Sequence, residues 1–332
     1  MILPGTDPQA IAQAASRIQG GGLVSFPTET VYGLGADSSS DAAVAQIFAA
    51  KGRPADHPLI VHVADAGQVA EYASDVPAFA ARLMRAFWPG PLTLILPRKA
   101  GVAAAAAGGQ NSIGLRCPSH PVALAFLKAC LDLGVSGVAG PSANRFGKVS
   151  PTTAQHVRAE LGDALLVLDG GPCDVGIESS IVDCTRGQPV LLRPGVLTRS
   201  QLQAACGQPL LGKDDIAGDA GAAPRASGTL ESHYAPGAKV RLMDAKAIQT
   251  ALDLLGTDAA NIAVYARTIV RIKSEKVLYR RMPDDALATA QQLFAVLRDF
   301  DAKGVKLIWI ENLPETPEWE GVLDRLVRAS AA

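Results

Sequence analysis

Residues able to hold anions recur in this sequence where short apolar runs end. Lys51-Gly52-Arg53-Pro54 joins a compact ammonium to a planar guanidinium fork at the close of a helical pattern, and that pair can clamp phosphate. Basic residues also suit an ordinary helix C-terminus, where they complement the dipole. Arg116 ends the apolar run 113–116. An arginine there is seldom buried alone, so it meets a carboxylate either inside the protein or on a ligand. His62 sits in the run 59–63, alternating with Leu59, Val61 and Val63, and a strand histidine serves either packing or proton chemistry. Gly140-Pro141-Ser142-Ala143-Asn144 follows the short run 137–139 and offers a hydroxyl and an amide for phosphate oxygens or a ribose, or for a capped turn. Ser150, Ser179 and Arg193 repeat the theme beside other apolar runs.

Motifs for other chemistries fail on spacing. Gly140 to Lys148 has six residues between its glycines and Val149 where a P-loop needs a hydroxyl, and Gly33-Leu34-Gly35 lacks the third glycine of a dinucleotide fingerprint. No nucleophile elbow, HExxH helix or His/Cys cluster at metal spacing occurs, so no metal ligand is assigned. What remains is a set of loop residues that bind by position and charge.

The elements that must position these groups read as α/β. Pro27-Thr28-Glu29-Thr30-Val31-Tyr32-Gly33-Leu34-Gly35 leaves the first strand, 23–26, as a Gly-rich loop at a strand's carboxyl end, where α/β folds place ligands. Further strands are expected at 59–63, 92–96, 113–116, 165–168, 181–184 and 190–192. Helices are expected from Asp7-Pro8 to Gly20, and at 41–51, 76–86, 121–131 and 153–161. Residues 1–206 form one α/β domain on this reading. A Gly/Ala/Asp/Pro-rich linker spans 207–236 and ends in His233-Tyr234-Ala235-Pro236, which suits a docking segment or a domain-junction anchor. Strands at 239–243, 262–265 and 306–310 alternate with helices at 245–255, 285–300 and 318–329 in a second domain, 237–332, with the rhythm of an open parallel sheet.

Composition narrows the classes. The 332 residues carry 31 Lys+Arg against 32 Asp+Glu, a formal net charge of -1, which argues against a surface wholly devoted to nucleic acid or membrane. Five separated cysteines without a CxxC pair argue against a disulfide framework and a structural zinc. No apolar stretch reaches bilayer length and no signal segment opens the chain, so a soluble, cytoplasmic location is expected.

In order along the chain, PTETVYGLG, KGRP with HPLIVHV, WPGPLTLIL, IGLRCPSHP, PSAN, GIESSIVD and LLRPG together resemble the YrdC-like threonylcarbamoyl-AMP synthase family. The match spans about residues 8–206, and HYAP with the second domain resembles the longer, two-domain branch. The resemblance implies a YrdC-like twisted mixed-sheet domain, a linker and a smaller Rossmann-like α/β domain. It implies an enzyme that makes threonylcarbamoyl-adenylate and pyrophosphate from L-threonine, bicarbonate and ATP with Mg2+, the product passing to downstream tRNA threonylcarbamoyl-transfer proteins while direct tRNA binding stays weak. By the same resemblance Lys51 and Arg53 are catalytic. Arg53, His57, Ser112, Ser142, Asn144, Ser150, Arg193 and the linker's Tyr234 contact ATP, and Thr30, His62, Arg116, Gly140 and Ser179 surround threonine. Two alternatives compete: a noncatalytic RNA-binding protein, and a different carbamoyl-adenylate-forming enzyme.

Overall fold

Helix signals in the sequence act where they stand. Asp7 caps the first helix, its carboxylate accepting from the Gln9 amide at 2.9 Å, and Pro8 fills the first turn. Ser40 caps the second, which ends at Gly52 in the left-handed conformation with φ +62°. These elements belong to a computed structural model that describes residues 1–216, 224–230, 232–268 and 270–331. It divides into two units, one comprising 1–146 and 150–229, the other 147–149 and 230–332.

The first unit is built on strands β1 (Ile2–Pro4), β2 (Val24–Phe26), β3 (Gly33–Asp37), β4 (Ile60–His62), β5 (Leu92–Pro97), β6 (Ser112–Arg116), β7 (Val138–Ala139), β8 (Leu166–Asp169), β9 (Ser180–Asp183), β10 (Val190–Arg193) and β11 (Leu211–Gly212). They form one mixed sheet in the order β1-β8-β2-β3-β7-β4-β6-β5-β9-β10-β11. Its helices are α1 (Pro8–Gln19), α2 (Asp41–Lys51), α3 (Val69–Tyr72), α4 (Ala78–Phe87), α5 (Pro121–Asp132), α6 (Ala154–Leu161) and α7 (Arg199–Cys206). β8 sends Leu166 and Leu168 to an apolar cluster under α1 and α5, and Val167 to a larger cluster reaching α2, α4, α6 and α7, so helices cover both faces. All five cysteines are buried free thiols.

One stretch of sheet has no α-helix packed on it among the described residues. Ile95, Ile181, Val190 and Leu192 turn away from the large cluster and pack instead with Ile216, Leu211 and Ala226. The chain after α7 thus covers the β5-β9-β10 region with an irregular segment.

Two sequence expectations need correction. Gly33 to Asp37 is a strand rather than part of a loop, paired antiparallel with β2 through Val24–Gly35 and Phe26–Gly33. Its glycines serve close packing: a Cβ on Gly35 would lie 2.8 Å from Val138 Cγ1 and 3.0 Å from the Phe26 ring. Residues 207–229, read as linker, carry β11 and a 3-10 turn, and their described part belongs to the first unit.

The second unit holds β12 (Lys239–Met243), α8 (Ala245–Leu255), β13 (Ile262–Ala266), β14 (Leu278–Arg281), α9 (Ala286–Ala302), β15 (Leu307–Glu311) and α10 (Glu320–Ser330). Its four strands are all parallel, in the order β12-β15-β13-β14. Ile262, Val264 and Ala266 pack with Ile248 and Leu252 of α8. β14 is absent from the sequence reading because Tyr279, Arg280 and Arg281 give it no apolar alternation. Its place on the sheet's edge requires none.

Candidate active site

α2 ends in a tight turn because Gly52 accepts the left-handed conformation, and the Arg53 amide returns to the Phe48 carbonyl at 3.0 Å. Lys51 therefore points into the protein, where it is 3% exposed. Its Nζ donates to the Ser142 carbonyl at 2.6 Å and to the Asn144 carbonyl, while the Phe146 amide donates back to the Lys51 carbonyl at 2.8 Å. Burial, and next the Arg53 charge, lower its pKa well below the ordinary lysine value. The ammonium thus holds the Ser142–Asn144 loop from beneath. The same loop is stitched to β3 by Leu34 N–H to Pro141 and Ala143 N–H to Tyr32, both 2.8 Å.

Arg53 lies over the Phe146 ring at 5.6 Å, and the His57 ring meets the Phe146 ring edge-on at 5.3 Å. Burial, then Arg53, lower the His57 pKa. Arg53 Nη2 donates to the Pro58 carbonyl at 2.9 Å and to Ser227 Oγ at 3.1 Å. Arg193 approaches the same serine from β10: its Nη1 donates to the Ser227 carbonyl at 2.7 Å, while Nε and Nη2 grip the Ser179 carbonyl at 3.0 and 2.9 Å. Ser179 Oγ is 2.8 Å from Thr93 Oγ1. Two guanidinium groups from distant parts of the chain therefore converge on one oxygen-rich residue.

Ser227 belongs to a strap across the uncovered part of the sheet. Arg225 pairs with the Asp56 carboxylate, its amide donates to Gln110 at 2.8 Å, and Ser227 Oγ donates to the Pro58 carbonyl at 2.9 Å. Beneath the strap Ile60, Thr93, Ser112, Gly114 and Ile181 line a cavity of about 20 Å³, room for about one water molecule. Ser150, by contrast, is turned to a buried carboxylate, donating its hydroxyl to Glu178.

Arg116 resolves the choice left open by the sequence. It is 3% exposed and salt-bridged to Glu29 at 2.7 Å, with Nη1 on Thr30 Oγ1 at 2.8 Å and Nε on the Gly90 carbonyl at 3.3 Å. Glu29 is fixed in turn by the Ser119 amide at 3.1 Å, and Thr30 by Thr28 at 2.8 Å. Three of the guanidinium's five N–H donors are so occupied among the described residues, which leaves two for a ligand carboxylate. β4 and β6 pair in parallel with His62 opposite Arg116. His62 is buried with Nδ1 unpartnered among the described residues, edge-on to Phe26 at 5.5 Å. Burial, and next Arg116, push its pKa down to about 3, so the ring is neutral. A Cβ on Gly140 would stand 3.0 Å from that Nδ1 and 3.1 Å from Phe26, which explains why glycine occupies the position. Gly140→Ala should therefore displace the imidazole and cost about 1–3 kcal/mol of stability in denaturant unfolding. An unchanged stability would show that the ring has room to move.

The first unit thus holds these residues in groups: Lys51 with Ser142 and Asn144; Arg53 and Arg193 on Ser227, with His57 beside Arg53 at Phe146 and Ser179 under Arg193; and Arg116 with Thr30, His62 and Gly140. Ser112 lines the small cavity and Ser150 faces Glu178. Tyr234 belongs to the second unit, where its ring stacks on Phe294 at 5.5 Å and faces the Arg325 guanidinium at 5.4 Å. Sequence reasoning gave no role to Glu29 and Thr93. The signal for Glu29 was present in the quoted PTETVYGLG run, since a buried arginine calls for a carboxylate. Thr93 carried none, being one hydroxyl in an apolar strand. Among the described residues no three His, Cys, Asp or Glu side chains lie close enough to hold a metal ion, and no helix is long and apolar enough to cross a membrane.

Comparison with known proteins bears on this geometry. Residues 16–195 match a family described as Telomere recombination, and 197–331 match the Threonylcarbamoyl-AMP synthase, C-terminal domain family. The chain is 37% identical to a threonylcarbamoyl-AMP synthase of Bacillus subtilis (strain 168), over 98% of this chain and 93% of that protein. It is 36% identical to one of Pyrococcus abyssi, over 96% and 93%. The crystal structure of P. abyssi Sua5 complexed with L-threonine aligns at TM-score 0.88 and 35% identity, covering 99% of this chain and 97% of that one.

Proposed function

This chain belongs to the threonylcarbamoyl-AMP synthase family, and on that premise we propose how its site works. It is a threonylcarbamoyl-AMP synthase, a nucleotidyltransferase that uses ATP and L-threonine. The observation that carries our reading is the convergence of Arg53 and Arg193 on Ser227, on the same sheet as the Arg116 pocket.

Threonine's carboxylate takes the two remaining N–H donors of Arg116, with Thr30, Ser179 and neutral His62 around the rest of the molecule and Gly140 contributing backbone only. Bicarbonate supplies the one-carbon unit: the threonine amine attacks its carbon, a C–O bond breaks and water leaves, giving a carbamate. A carbamate oxygen then attacks the α-phosphorus of ATP and the bond to the bridging oxygen breaks, releasing pyrophosphate. No protein nucleophile is needed. Arg53 and Arg193 exchange Ser227 for triphosphate oxygens and neutralise the charge that builds there, with Ser142, Asn144, Ser150, His57 and Ser112 lining the nucleotide and Lys51 acting through the loop that it holds. Mg2+ arrives with ATP as part of the substrate, on phosphate oxygens and water. The adenylate is then consumed by separate tRNA-modifying proteins. Tyr234 enters the nucleotide set by family resemblance alone.

The test incubates the protein with ATP, bicarbonate and single amino acids, and measures pyrophosphate and the adenylate. Release should require both threonine and bicarbonate; release independent of either sinks the reading.

Neutral His62 has its own consequence. In the folded protein it takes a proton only near pH 3, whereas unfolded it does so below its ordinary 6.5. The unfolded state therefore binds the extra proton in that window, and this residue withdraws stability as pH falls from about 6.5 toward 3. Its ring carbon NMR shift should stay constant from pH 8 to 5. A titration near 6.5 would show an exposed imidazole.

A further inference from the structure

The overall charge of -1 hides a strong local segregation in the second unit. Residues 267–281 contain Arg267, Arg271, Lys273, Lys276, Arg280 and Arg281 against one acid, Glu275. The remainder of 237–332 carries eight Lys and Arg against twelve Asp and Glu. The cationic stretch ends in β14, the edge strand of the parallel sheet, and Arg271, Lys273, Lys276, Tyr279, Arg280 and Arg281 are all exposed.

This stretch is held, not loose. Val270 and Val277 are buried with the α8 side chains, Ser274 Oγ donates to the Ala259 carbonyl at 2.6 Å, and the Gln249 side chain clasps the Arg271 backbone at 2.7 and 3.1 Å. The cations are therefore displayed at fixed places. Lys273 pairs with Asp253 at 3.1 Å and Arg281 with Asp284 at 3.0 Å, both in solvent, where such pairs contribute little. Arg271 stands near the same Asp253 without a direct ion pair.

Charge on an edge strand also discourages edge-to-edge pairing, but that purpose is served equally by either sign. A run this strongly cationic, with arginine in the majority, goes further, because guanidinium forks match phosphate geometry. The exposed Tyr279 ring, on the same strand face as Arg281 and with its hydroxyl 3.5 Å from the Thr268 carbonyl, offers a stacking surface for an unpaired base. We propose that the β14 edge of the second unit is a docking surface for structured RNA, gripping its phosphate backbone and stacking one base on Tyr279.

The experiment measures fluorescence anisotropy of a labelled tRNA transcript with full-length protein from 50 to 300 mM salt. Wild type should bind with affinity that falls steeply with salt. The variant Arg271→Glu/Arg280→Glu/Arg281→Glu should bind at least about 10-fold more weakly, with the log–log salt slope smaller by about 2 to 3. Glutamate keeps the edge charged, so a role limited to edge protection predicts no loss of stability and no loss of RNA affinity beyond the other surfaces. Tyr279→Ala should weaken binding several-fold without changing the slope. Pyrophosphate release from small substrates should match wild type in every variant, which separates failure here from failure of the catalytic reading. The proposal falls if wild type binds no RNA at 50 mM salt, or if the triple variant binds as wild type does. It also falls if polyglutamate of equal charge displaces the RNA one for one, an outcome that would point to an acidic protein.

Discussion

Exchanging Glu29 for glutamine is expected to raise the threonine KM about 100-fold while leaving the ATP KM within about twofold. The carboxylate is buried against Arg116 at 2.7 Å and has no contact with the groups gathered around Ser227. Glutamine keeps the shape but removes the charge, so the guanidinium is left buried with its counter-ion gone. Breaking a buried pair this way costs about 3 kcal/mol. Part of that cost should appear as lost stability in denaturant unfolding, and part as an arginine that drifts from the place proposed for the substrate carboxylate. Glu29→Asp should not restore function, because a shorter arm cannot reach both Arg116 and the Ser119 amide. Equal changes in both KM values would mean that Glu29 supports the whole fold rather than the amino-acid pocket.

Lys51→Met and Arg53→Ala should each lower kcat by about 100- to 1000-fold, the range for losing one charge-stabilising donor, yet by different routes. In the proposed mechanism Arg53 reaches the nucleotide directly, so its loss should leave the surrounding backbone in place. Lys51 works through two carbonyls, and without its ammonium the Ser142–Asn144 loop loses its support from below. Amide exchange tells the routes apart: the Ala143 and Leu34 amides, which tie the loop to β3, should exchange faster in Lys51→Met and at the wild-type rate in Arg53→Ala. Protection unchanged in both variants would make Lys51 a direct phosphate ligand instead.

Most helices and apolar strands were legible because each of their signals is local: a cap, a proline, a glycine stop, a period. The edges of α2 follow from such marks alone. β3 was not legible, since Gly33 and Gly35 look like turn residues until Phe26 and Val138 are seen pressing on them. β14 escaped for the opposite reason, having an exposed edge that imposes no apolar alternation. In the site, the types of Arg53, Arg116 and Arg193 announced anion binding, but their partners were invisible because 87 residues separate Arg116 from Glu29, and 174 separate Arg53 from Ser227. The buried direction of Lys51 depends on the turn at Gly52 and on a loop some ninety residues later. Side-chain type travels with the sequence; the identity of a distant partner does not.

If Arg53 and Arg193 take the nucleotide as proposed, their grip on Ser227 also sets the thermodynamic character of its binding. Both long side chains are already frozen in place, so the rotamer entropy that binding ordinarily costs, about 0.5–1.5 kcal/mol for each, has been spent during folding. A phosphate that displaces the serine trades one set of hydrogen bonds for another and sets a tethered stretch of chain free. Calorimetry of ATP binding should then record a small enthalpy and a favourable entropy, the reverse of the pattern usual for a polyanion captured by mobile arginines.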